Sequence, residues 1–293
     1  MKPYFFTALF MISAATSFAQ EKIYLYPDKK GLHIGGNQKT EDAPFIEHFA
    51  ANGDKRNGAA VLVCPGGGYG HLAVGHEGAD VARFLTNEGF DAIVLHYRLN
   101  DPQQSGSRYP AQYDDVTTAM RIVKSKAESW KLDPEKIGVM GFSAGGHLAS
   151  MLTTIHVAAN PSSKTKWEQF SSRPAFSILV YPVISMSADY RHVGSGFNLM
   201  GPNPAPGLAD SLSTDKRVNA QTPPTMLIHS TDDKTVPVEN AIVFYKALQA
   251  HKIPATLHVY DHGGHGYGMA PKDPVLNTWP SLSVLWIREK LKL

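Results

Sequence analysis

Gly141, Ser143 and Gly145 form a Gly-x-Ser-x-Gly pattern within the stretch Val139–His147. An apolar run, Ile137 to Phe142, precedes it and reads as a buried strand; Leu148 to Leu152 follows it and reads as helix. A strand that turns sharply into a helix leaves no room for side chains beside the residue at its tip. Flanking glycines relieve that crowding and let a serine occupy a strained turn. The serine oxygen is then exposed, next to the free N–H groups and positive dipole end of the new helix. Short Gly/Ser patterns also arise by chance, so a Gly-rich turn with an incidental serine is the competing reading.

A serine hydroxyl is a poor nucleophile until a base takes its proton. The usual base is histidine, held in the right tautomer by a carboxylate. Two later loops offer both groups in the order Ser, acid, His. After the apolar run Thr225 to His229 come Asp232 and Asp233, and after Ala255 to Tyr260 come His262 and His265. His265 lies between Gly264 and Gly266, which let the backbone bring an imidazole close to a serine, so it is preferred over His262. Asp232 and Asp233 both remain candidates for the acid.

Acyl transfer also needs fixed N–H donors where negative charge develops, and losing one can cost ~3 kcal/mol. Directly after the apolar run Ala59 to Cys64 comes Pro65-Gly66-Gly67-Gly68-Tyr69-Gly70. Three successive glycines can aim backbone N–H groups into a site without side-chain obstruction. Gly67 or Gly68, with the N–H of Ala144, is therefore the expected oxyanion hole. A phosphate-binding loop is excluded, since neither Gly-x-x-x-x-Gly-Lys-Ser/Thr nor a Gly-x-Gly-x-x-Gly that opens a helix occurs here. Tyr69, Glu77, Arg98 and His147 could touch substrate or brace these loops, and Arg98 could pair with Glu77.

The elements that must hold these groups alternate. Buried strands are expected at Ala59 to Cys64, Ala92 to Tyr97, Ile137 to Phe142, Phe176 to Tyr181, Thr225 to His229 and Ala255 to Tyr260. Helices are expected at Gly78 to Glu88, Asp114 to Trp130, Ala144 to Ile155, Val238 to Ala250 and Trp279 to Leu291. This predicts an α/β fold, a mostly parallel sheet with helices on both faces. The more polar, alternating segments Ile23 to Tyr26 and Phe45 to Ala50 suit antiparallel edge strands. Residues 185–224 are rich in Gly, Pro, Asn and Ser and read as a loop-rich, lid-like insertion.

The chain has 293 residues, 43% hydrophobic, with a formal net charge of +2, so no strong field for nucleic acid or an anionic membrane is expected. Its 13 histidines show no defensible metal-ligand spacing, and no metal or organic cofactor is expected. Cys64 is the single cysteine, so no internal disulfide can form. Lys2, the apolar run Tyr4 to Ile12 and the small residues Ser17 and Ala19 read as a signal peptide, residues 1–19, cleaved after Ala19. The run is shorter than the ~20 residues of a membrane span. The expectation is a secreted or periplasmic protein, one domain over residues 20–293, with no membrane attachment after cleavage.

The chain resembles the α/β-hydrolase superfamily, in particular the secreted bacterial carbohydrate esterases of the acetylxylan-esterase type (the BD-FAE group, bordering on prolyl-oligopeptidase-like proteins). The resemblance is carried by Cys64-Pro65-Gly66-Gly67-Gly68-Tyr69, Gly75-His76-Glu77-Gly78, Tyr97-Arg98-Leu99, Asp115, Ile137 through Ala149, Asn198-Leu199-Met200-Gly201, Asp233 with Val236-Pro237, and Gly264-His265-Gly266. It implies the α/β-hydrolase fold. In that family the acid stands three residues before Val-Pro, which selects Asp233. Pro65 replaces the histidine that opens the His-Gly-Gly-Gly motif of many lipases, so a lipase is disfavoured.

The resemblance further implies that Ser143, His265 and Asp233 remove acetyl or other short acyl groups from plant polysaccharides such as xylan. The partner is then an acylated oligo- or polysaccharide. A feruloyl or general short-chain carboxylesterase is the near alternative. A prolyl-oligopeptidase-type peptidase and a non-catalytic carbohydrate-binding relative are the remoter ones.

Overall fold

The structure is a computed structural model that describes residues 21–293 except 30, 37–41, 52 and 105. The expected signal peptide, residues 1–19, lies outside the described residues. Eight strands form one sheet: β1 (Glu21–Tyr24), β2 (Phe45–Phe49), β3 (Ala60–Cys64), β4 (Asp91–His96), β5 (Ile137–Phe142), β6 (Ser177–Val180), β7 (Thr225–Ser230) and β8 (Ala255–Tyr260). Their order is β1-β2-β4-β3-β5-β6-β7-β8. The β1–β2 and β2–β4 pairs are antiparallel, and every pair from β4 through β3 to β8 is parallel. This is the α/β-hydrolase arrangement, with the two antiparallel pairs at one edge and β2 alone running against the other strands.

The central strands are apolar on both faces because both faces are covered. In β3, Ala60 and Leu62 join one core and Val61 and Val63 the other. The first core receives α2 (Ala111–Ser125) through Val116, Ala119 and Met120, α3 (Ser143–Thr154) through Leu148 and Met151, and α6 (Glu239–Ala250) through Phe244 and Leu248. The second receives α1 (Asp80–Asn87) through Val81, Ala82 and Leu85, and α7 (Thr278–Leu291) through Trp279, Val284 and Ile287. Each of the Val, Leu, Ile, Phe and Met side chains so removed from water contributes about 1.5–3 kcal/mol. Gly138 in β5 is required by this packing, since a Cβ there would run into the Phe176 ring.

Residues 185–224 are more ordered than their composition suggests. They contain α4 (Val193–Met200) and the short α5 (Leu208–Ser211), followed by a 3-10 turn at Thr214–Arg217. His192 caps α4 by accepting the Ser195 N–H, and Gly201, at φ +87°, ends it. Leu199 and Leu212 are buried and fasten the segment to the body. Burial of these two apolar anchors offsets the poor helix propensity of the glycines.

The helix before β4 also begins differently from expectation. Gly75–Ala79 form a single π-helical turn, and only from Asp80 does α-helix continue. That wider turn carries Glu77 inward, where it is buried.

Candidate active site

All four expected loops leave the C-terminal ends of parallel strands, where ligands of open α/β sheets bind. At the end of β5, Ser143 adopts φ +52°, a left-handed conformation that non-glycine residues seldom take. The turn is tight enough that its glycines cannot be replaced freely. A Cβ on Gly141 would strike the Gly145 carbonyl, and a Cβ on Gly145 would strike the carbonyls of Cys64 and Pro65. The Gly-x-Ser-x-Gly spacing is thus the condition for packing α3 against β3 and β5.

The His265 loop reaches this serine. His265 Nε2 lies 2.8 Å from Ser143 Oγ, and His265 Nδ1 lies 2.6 Å from Asp233 Oδ2. Asp233 is nearly buried, and its Oδ1 accepts the N–H groups of Thr235 (2.9 Å) and Val236 (2.8 Å). Burial pushes its pKa up, but the bonds from His229, His265 and Val236 outweigh burial and hold the carboxyl well below the usual carboxylate range.

His229, at the end of β7, was not singled out by the sequence. Its Nε2 donates to the Val236 carbonyl at 2.8 Å and stands 3.3 Å from Asp233 Oδ2. The available signal was its place four residues before Asp233.

The rejected neighbours have other work. Asp232 accepts the N–H groups of Gly263 (3.3 Å) and Gly264 (2.7 Å), shaping the loop that carries His265. His262 is exposed and lies between Asp261 (2.6 Å) and Asp273 (2.8 Å), on the surface.

The glycine loop after β3 runs beside the serine. A Cβ on Gly66 would lie 2.9 Å from the Ser143 Cβ. The Gly66 N–H is taken by Glu77 Oε2 at 2.7 Å. Among the described residues the Gly67 and Gly68 amides have no acceptor. Both glycines have positive φ, +125° and +62°. The Ala144 amide lies in the first turn of α3, where helical N–H groups lack intrahelical partners. Gly67 and Gly68 line the same cleft as Ser143, and Ala144 follows it in the chain.

Tyr69 does not meet the expectation of a substrate contact. Its side chain is fully buried, and its hydroxyl donates to His147 Nδ1 at 2.8 Å. His147 Nε2–H in turn donates to the Leu212 carbonyl at 2.8 Å, so the ring is the neutral Nε2–H tautomer. Burial lowers the His147 pKa to about 4. The pair braces the floor of the insertion. Arg98 does not pair with Glu77. Its guanidinium binds Asp115 at 2.7 Å and 3.0 Å, because β4 and α2 bring those two together while Glu77 turns toward Gly66. Cys64 is buried, which pushes its thiol up and keeps it unreactive.

A cleft of about 280 Å³ joins these parts, lined by Gly67, Gly68, Ser143, His192, Thr235, His265 and Gly266 among others. His192, from the start of α4, is a second residue the sequence did not single out. Nothing in its Gly/Ser-rich surroundings marked a helix cap that faces the cleft. Among the described residues no three His, Cys, Asp or Glu side chains cluster to hold a metal ion. The site can therefore offer a hydroxyl, an imidazole backed by a carboxylate, and unengaged amides, the components of acyl transfer.

The family model of BD-FAE matches residues 48–248. An acetylxylan esterase of Xylanibacter ruminicola is 36% identical over 268 residues, 90% of this chain and 50% of that protein. An endo-1,4-beta-xylanase B of Butyrivibrio fibrisolvens is 34% identical over 219 residues, 75% of this chain and 34% of that protein. The chain thus spans half or less of the length of these two relatives. The crystal structure of an acetyl ester-xyloside bifunctional hydrolase from Caldicellulosiruptor lactoaceticus superposes with a TM-score of 0.83 at 35% identity, covering 92% of this chain and 96% of that one.

Proposed function

The chain belongs to the BD-FAE family, and from that premise we propose that it is a serine esterase that removes acetyl or other short acyl groups from hydroxyls of plant polysaccharides such as xylan. The observation that carries the reading is the unbroken link from Ser143 Oγ through His265 to Asp233, at 2.8 Å and 2.6 Å, on a serine strained into the left-handed region. The names of the similar proteins, an acetylxylan esterase and an acetyl ester-xyloside hydrolase, support an acylated xylose-containing substrate.

His265 takes the Ser143 proton as Oγ attacks the ester carbonyl. The amides of Gly67, Gly68 and Ala144 hold the oxyanion, and Asp233 stabilises the imidazolium. The sugar alkoxide departs with the proton from His265, leaving an acyl-enzyme. Water then attacks the acyl-enzyme by the same route in reverse, releasing the carboxylic acid and restoring Ser143. The mature protein works outside the cytoplasm on this reading, consistent with the signal-like residues 1–19.

The test is acetate release from acetylated xylan, mannan and pectin, with p-nitrophenyl acetate and methyl ferulate in parallel. Acetylated xylan is expected to be turned over, with Ser143→Ala lowering kcat by several powers of ten. A Ser143→Ala protein that keeps near-normal activity refutes the serine mechanism. Turnover of methyl ferulate with none of the acetylated polymers refutes the substrate.

A further inference from the structure

We propose that His192 contacts the substrate, its Nε2–H donating to a hydroxyl oxygen on the alcohol half of the ester. The inference rests on the esterase reading above and assigns a recognition role to the insertion.

The tautomer follows from the cap. The Ser195 N–H can only donate, and it points at His192 Nδ1 from 3.3 Å, with Ser195 Oγ 2.7 Å from the same nitrogen. Nδ1 is therefore an acceptor and the hydrogen sits on Nε2. Among the described residues Nε2 has no acceptor, although the ring lines the same cleft as Ser143 and His265. Burial, then the charge of His265, lowers the His192 pKa, so the ring faces the cleft as a neutral single donor.

Its position selects the half of the ester it meets. The ring stands over Gly68, with Cε1 3.9 Å from where a Cβ on that residue would be, and it is near enough to His265 to feel its charge. A group between the oxyanion loop and the base borders the oxygen that leaves with the proton of His265. An acetyl group has no hydroxyl to offer a donor, whereas a sugar offers hydroxyls on the carbons beside the ester oxygen.

The donor is also held firmly. Asn198, one turn and a half further along α4, donates from Nδ2 to the Gly68 carbonyl at 2.8 Å, and its Oδ1 accepts from Asn100 at 3.1 Å. The helix that carries His192 is thus fixed to the loop whose amides face the serine. That preorganisation is what a specificity contact needs.

The experiment measures kcat/KM for the full chain on glyceryl 1-monoacetate and on n-propyl acetate, which differ only in the hydroxyls of the alcohol half. Acetylated methyl xyloside is run beside them. His192→Ala removes the donor and the cap. His192→Asn keeps a strong N-cap for α4 while its shorter side chain cannot reach the cleft, so a folded variant is secured. The ratio of glyceryl 1-monoacetate to n-propyl acetate is expected to fall about tenfold in both variants, the worth of one hydrogen bond. A ratio that holds within about twofold of the wild type, or rises, overturns the inference. A wild type that cleaves both small esters but not the acetylated xyloside would count against the sugar reading alone, while the ratio still decides the role of His192.

Discussion

The buried carboxylate of Glu77 joins two loops of the active site through Tyr181. The Tyr181 hydroxyl donates to Glu77 Oε1 at 2.9 Å, while Glu77 Oε2 accepts the Gly66 N–H at 2.7 Å. The same phenol oxygen accepts the Gly268 N–H at 2.9 Å, and its ring meets His265 edge-on at 5.0 Å between centroids. One carboxylate and one phenol therefore tie the oxyanion loop, the end of β6 and the His265 loop into a single unit.

Breaking that unit should lower both stability and turnover. Tyr181→Phe leaves the Gly268 N–H without a partner in a buried place and Glu77 Oε1 with only His76 Nε2 at 3.6 Å, at a cost of about 1–3 kcal/mol. Glu77→Gln sets an amide N–H₂ against either the Gly66 N–H or the Tyr181 hydroxyl, with a similar penalty. Urea unfolding should show the loss. The kcat on p-nitrophenyl acetate should fall more than KM rises, because the loops mispositioned are those facing the reacting atoms. Unchanged kcat in a destabilised Tyr181→Phe protein would mean the link is structural only.

The acid limb of activity should follow a single proton. Asp233 is held well below the ordinary carboxylate range, so it stays ionised throughout that limb and adds no proton of its own. Log kcat/KM should then fall with a slope of one, not two, as pH drops from neutrality toward 5. In stability terms the depressed Asp233 contributes above the unfolded carboxylate value of ~3.9, and that contribution is lost as pH falls through its lower folded value. Asp233→Asn should place the hydrogen of His265 on Nε2, where it cannot accept from Ser143, and lower kcat by roughly 10⁴. A pH–rate profile of slope two would show that the carboxylate titrates in the same window.

His147 predicts a second pH effect, this time on folding. Burial lowers its pKa to about 4 in the folded protein. The unfolded histidine binds a proton near pH 6.5, so folding is favoured above that value and weakens as pH falls from about 6.5 to about 4. The linked loss is about 3 kcal/mol at the lower end. His147→Gln should remove that share of the slope, measured as the pH dependence of the urea midpoint against wild type. Parallel pH curves for the two proteins would disprove the assignment.

Much of the architecture was legible because its signals are local. Six apolar runs too short for helices, five of them followed by a helical pattern, leave few arrangements other than a covered parallel sheet. The glycines around Ser143 and in Gly66–Gly68 were legible for the same reason, since a turn that excludes a Cβ must be written at that position. The start of α4 was not. Its glycines and serines read as loop, and only the burial of Leu199, Leu212 and the Asn198 bond to Gly68 makes a helix of it.

By itself the sequence determined which loops carry the reactive side chains and in what order, because strand ends and glycine turns are short-range properties. The flanking glycines favoured His265 and the family resemblance favoured Asp233, but only the tertiary structure shows what each neighbour does instead. Asp233 points to His265 while Asp232, one residue away, turns to the Gly263 and Gly264 amides, and His265 meets Ser143 while His262 stays at the surface. It also sent Arg98 to Asp115 rather than Glu77, and brought His192 over Gly68. Asp232, Asp233, His262 and His265 lie in loops beyond the strand ends, where no regular periodicity sets the side-chain direction and contacts tens or hundreds of residues apart in the chain decide it.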